Sequence, residues 1–134
     1  MTEKEFRVKH SELIEYYQLI EMRLRFICAD LLADKERTWF ERLDDYESDP
    51  FGLLIHKIKE IQSQKQIAAL TQDDFDSLAE LRKTRNYWVH QCFGIHNPIT
   101  FRNGEVRNKG YEDRINADFD KAVEWDEKLT KVLK

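Results

Sequence analysis

The chain of 134 residues is 41% apolar and 12% aromatic, enough to close one hydrophobic core and too little for two. Its formal net charge is −4, and with only 4 Gly and 2 Pro it is poor in helix breakers, a mix that predicts a mostly helical protein. No apolar run approaches the roughly 20 residues of a membrane helix, and the start MTEKEFRVKH lacks the apolar stretch of a signal peptide. The expectation is one domain, residues 1–134, cytoplasmic and without a membrane contact.

Leu13, Tyr17, Ile20, Leu24, Ile27 and Leu31 recur every three or four residues, and Ile14, Cys28 and Leu32 widen the stripe. This predicts a long first helix over about residues 8–33, with Glu15, Glu21, Arg25 and Asp30 on its solvent side. The segment 34–47 carries Trp39, Phe40, Leu43 and Tyr46 among charges and fits a short helix or turn-rich connection covering the core. Ser48, Asp49 and Pro50 give a helix start, with Pro in the first turn, before Leu53, Leu54, Ile58 and Ile61 mark a second apolar face that ends near residues 62–66.

Thr71 with Asp74 forms a capping-box pattern, and Phe75, Leu78, Leu81, Trp88, Val89 and Cys92 continue at helical spacing to Gly94. Asn103-Gly104 then favours a type I′ turn, so a small β-hairpin is expected at about residues 99–109. Asn116 can cap a closing helix whose buried face is Phe119, Ala122, Val123, Leu129, Val132 and Leu133. The fold class expected is all-α, a bundle of four or five helices with a hairpin inserted before the last.

Charge is uneven along the chain. Residues 82–114 hold seven Lys and Arg against three acids, whereas the remainder is strongly acidic, so an anionic partner would dock on this stretch. Placing Arg85 at 0° on a helical wheel puts Leu78 near 20°, Val89 near 40°, Cys92 near −20°, Leu81 near −40° and Trp88 near −60°, at about 100° per residue. The arginine therefore interrupts the apolar arc, and a charge taken out of water requires a partner. That partner is either a carboxylate of the first helix, Glu12 or Glu21, or an anion at an interface.

Asn86 falls near 100° and His90 near 140°, about one turn apart beside the arginine. A permanent positive fork, an orienting amide and a group that exchanges protons near neutral pH suffice for metal-free RNA cleavage. A base takes the 2′-hydroxyl proton, the oxygen attacks phosphorus, and the arginine stabilises the developing charge. One histidine does not easily serve as base and acid together, and a symmetric dimer would bring two to one cleft. Arg82, Lys83, His96 and Arg102 are the expected substrate contacts around this catalytic set. Aromatic residues Tyr16, Tyr17, Tyr87 and Trp88 are read as core or dimer contacts, and His10 and His56 have no matching carboxylates or cysteines, so neither metal nor cofactor is expected.

The run Arg85-Asn86-Tyr87-Trp88-Val89-His90, late in a helix of a small helical domain, resembles the Arg-x4–6-His motif of HEPN domains, the nucleotide-binding domains of higher eukaryotes and prokaryotes. The resemblance implies a homodimer with a composite site at its interface and, in many members, metal-independent endoribonuclease activity of toxin or defence type. It further implies a possible antitoxin or nucleotidyltransferase partner. One departure stands out. The branch modified by a nucleotidyltransferase has a tyrosine two residues after the histidine, and this chain has Cys92, so that modification is not carried over. The alternatives are a non-catalytic module of the same fold that binds nucleotide, RNA or protein, and a structural helical adaptor or immunity protein.

Overall fold

The structure, a computed structural model, describes residues 1–32 and 36–133. Among these residues are five α-helices: α1 (Glu3–Leu31), α2 (Trp39–Asp44), α3 (Phe51–Lys65), α4 (Gln72–Asn86) and α5 (Tyr111–Val132), with strands β1 (Phe101–Arg102) and β2 (Glu105–Val106) before the last helix. The all-α bundle with its inserted hairpin is thus the observed architecture. No described helix is long and apolar enough to cross a membrane.

Helix α1 is the axis of the bundle, with α5 along one flank and α3 along another. Phe6, Leu13, Tyr17, Ile20, Leu24, Ile27 and Cys28 form its buried stripe, continuous with Phe51, Leu54 and Ile58 of α3, Leu78 and Leu81 of α4, and Ile115, Ala122 and Leu129 of α5. The helix starts five residues before the expected position because the Thr2 hydroxyl accepts from Glu5 N–H at 3.0 Å, an N-cap that precedes the apolar stripe. Its expected end, residue 33, lies outside the described residues, as does residue 34 at the start of the next segment.

In that segment Tyr46 is buried, but Phe40 is 72% exposed and does not cover the core. Pro50 occupies the N-cap position of α3 rather than its first turn. The capping box of α4 forms as expected, with Thr71 and Asp74 bonding each other's backbone N–H groups at 3.1 and 2.9 Å. Asn103 and Gly104 have φ of 51° and 76°, the pair of positive values a type I′ turn requires. Asn116 does not cap α5. The helix begins one and a half turns earlier, after Gly110 at φ 87°, and Asn116 lies within it.

Beyond Asn86 the helix departs from the expected α-register. Tyr87–Gln91 form a π-helical turn in which Cys92 N–H donates to the Tyr87 carbonyl at 2.9 Å, five residues back. Trp88 remains fully buried and Cys92 reaches the core, so the extra residue is absorbed at the solvent side of the turn.

Candidate functional site

Arg85 leaves α4 toward α1 and α3. Its Nη2 lies 2.8 Å from Glu21 Oε1, with the two side chains 23% and 14% exposed, and its Nη1 donates to Asn86 Oδ1 at 3.1 Å. The Phe51 ring is 6.0 Å from the guanidinium carbon. Glu21 is therefore not on the solvent side of α1, a correction that follows from the arginine itself: a half-buried cation draws the nearest carboxylate inward. Glu21 Oε1 is buried and receives no aligned hydrogen bond, so the contact is one of charge with charge. Arg25 Nη2, 3.9 Å from Glu21 Oε2, adds a second cation to the same carboxylate.

Asn86 is half-buried and His90 is exposed, its ring without a hydrogen bond or ion pair among the described residues. The π turn changes their relation. In an α-helix five residues separate Arg85 from His90 by about 140° around the axis. A turn closed five residues back advances less per residue than an α-turn, so the angular separation between the two is smaller than on a continuous α-helix.

The expected substrate contacts are dispersed. The Arg82 guanidinium lies across the backbone of Gly52, where a Cβ would stand 2.6 Å from the arginine Cζ. Lys83 is exposed and pairs with Glu80 at 3.0 Å. His96 is exposed in the loop after the π turn, and Arg102 is exposed on β1. Arg114, counted in the basic stretch, instead packs on aromatic faces, with its guanidinium 3.9 Å from the Tyr87 centroid and its Nε 3.9 Å from Asp118. Around the motif Val89, Phe93 and Ile95 are exposed, a run of apolar side chains on the surface that carries His90.

Sequence reasoning missed His10. Its Nε2 is 2.8 Å from the Trp88 carbonyl and 3.5 Å from Cys92 Sγ, and its ring stacks on Phe6 at 6.3 Å. A carbonyl only accepts, so Nε2 carries the proton. The spacing of His10 within α1 gave no signal, because its partner is a carbonyl that becomes available only through the π turn. Cys92 is buried, and that burial pushes its thiol above the usual range, so it rests here as a neutral thiol that donates to the same carbonyl at 3.3 Å. Trp88 is held from the other side, its Nε1 donating to Asp118 Oδ2 at 2.7 Å.

On the opposite flank of α4 a groove of about 480 Å³ separates it from α5. It is lined by Asp73, Glu80, Leu81, Asp118, Glu124 and Trp125, and by Lys128, which pairs with Asp74. Among the described residues no cluster of His, Cys, Asp or Glu is arranged to hold a metal ion. Comparison with known proteins gives no match: no family model, curated protein or solved structure matches the chain.

Proposed function

We propose that this chain is a HEPN-type endoribonuclease of toxin or defence character, acting as a homodimer that cleaves RNA without a metal. The observation that carries this reading is the π turn between Arg85 and His90, which leaves His90 exposed beside Val89, Phe93 and Ile95, apolar side chains that a second copy would cover. In the reaction His90 takes the proton of the ribose 2′-hydroxyl and the oxygen attacks the adjacent phosphorus. Arg85 stabilises the charge on the phosphoryl oxygens, and the bond to the 5′-oxygen breaks. His90 of the partner subunit returns a proton to that leaving oxygen, giving a 2′,3′-cyclic phosphate and a 5′-hydroxyl. Asn86, bonded to the guanidinium, fixes the direction of the fork.

A second reading is favoured by the Arg85–Glu21 ion pair. Here the arginine is an internal structural charge and the chain is a binding module or helical adaptor without turnover. The two readings part on one experiment, in which purified protein and its His90→Ala variant are incubated with mixed-sequence RNA in EDTA. Cleavage by the parent alone, with cyclic phosphate ends, supports the nuclease. Absence of cleavage by the parent, together with a sharp stability loss in Arg85→Ala, favours the structural reading.

A further inference from the structure

We infer that His10 is a positioning residue: its Nε2–H holds the Trp88 carbonyl that the π turn releases, and so sets where His90 stands relative to Arg85. In a continuous α-helix Cys92 N–H would donate to the Trp88 carbonyl, four residues back. In the observed turn that N–H goes to Tyr87 instead, at 2.9 Å, leaving the Trp88 carbonyl without its helical donor beside a fully buried indole. A buried carbonyl left unpaired destabilises the register that leaves it so. His10 Nε2 at 2.8 Å meets this demand, and the Cys92 thiol at 3.3 Å adds a weaker donor. The imidazole packs among three rings, Phe6 stacked at 6.3 Å, Trp88 at 6.2 Å and Phe93 at 5.5 Å, which hold its donor toward that carbonyl.

Two registers thus compete over one carbonyl, and a residue of α1, far away in sequence, decides between them. With His10 the turn is π and His90 is rotated toward Arg85, whereas without it the α-register restores the helical bond and carries His90 away to about 140°. The consequence for cleavage rests on the proposed nuclease reading. The register itself does not.

The test uses His10→Phe, which keeps an aromatic ring in the stack and removes the donor, and His10→Gln, which restores an N–H of similar reach. Scalar coupling through hydrogen bonds in labelled protein reports which carbonyl Cys92 N–H engages. The expected result is coupling to Tyr87 in the parent and His10→Gln, and coupling to Trp88 in His10→Phe. Coupling to Tyr87 in His10→Phe, or to Trp88 in the parent, overturns the inference whatever the protein's activity. If His10→Phe does not fold, the coupling from His10 Nε2–H to the Trp88 carbonyl in the parent decides, and its absence overturns the inference. Where the parent cleaves RNA, His10→Phe loses about a hundredfold in rate and His10→Gln recovers most of it, as misplacing one reacting group predicts.

Discussion

The two flanks of α4 carry opposite chemistry. Toward α1 and α3 it presents Arg82, Arg85 and Asn86, and His90 follows on the adjoining π turn. Toward α5 it presents Asp73, Asp74, Ser77 and Glu80 around an acidic groove. The same helix thus has a cationic flank, whose Arg85 is half-buried on Glu21, and an acidic wall on the other side. The basic window 82–114 begins after these acids, but its count also includes Arg114, whose guanidinium packs on the Tyr87 and Trp88 rings. The difference also separates partners: in the groove Asp74 is paired with Lys128, while His90 is left without a partner among the described residues.

The comparison can be broken first at the residue the two flanks share. Trp88 is fully buried between α1 and α5, with its Nε1 on Asp118, so Trp88→Ala should lose about 3–5 kcal/mol by urea denaturation. A loss below about 1 kcal/mol would mean that the core does not anchor the turn. Next is the ion pair on the cationic flank. Arg85→Ala leaves Glu21 half-buried with only the more distant Arg25, and the expected cost is about 1–3 kcal/mol, reduced from the fully buried case by partial exposure. In a double-mutant cycle with Glu21→Gln the two losses should be strongly non-additive, and additive losses would contradict the pairing.

The acidic flank predicts a pH effect. Burial raises the Asp74 carboxyl, but the bonds from Lys128 and Thr71 outweigh it and hold the group below its ordinary value. A carboxyl lowered by folding contributes stability that is present above its unfolded value and lost as pH falls through the folded one. Stability should therefore drop below about pH 4, and Asp74→Asn should flatten that part of the profile. Thr71→Ala removes the same cap from the other side at about 1 kcal/mol. The smallest effect is expected at Gly52. The atoms nearest an added Cβ in Gly52→Ala are all at the flexible end of Arg82, so stability should change by a few tenths of a kcal/mol while Arg82 swings away.

Much of the bundle was legible in the sequence because periodicity and turn chemistry are local. The stripe of α1, the Thr71–Asp74 box and the Asn103-Gly104 turn each depend on neighbours a few residues away. What escaped depends on distant partners. The inward turn of Glu21 follows from Arg85, and the π turn follows from His10, whose target carbonyl is exposed only by the irregularity it stabilises. The helical wheel placed Arg85 correctly in the apolar arc, then misplaced His90 because it assumed one register throughout. Asn116 was misread as a cap because Gly110, with its positive φ, already starts the helix.

The most direct test compares the flanks in one assay: cleavage of mixed-sequence RNA in EDTA by the parent, by His90→Ala on the cationic flank and by Lys121→Ala, at a lysine of α5 that lines the groove. The account predicts that His90→Ala loses about a hundredfold or more while Lys121→Ala cleaves like the parent. Equal activity in all three, or none in the parent, would contradict it.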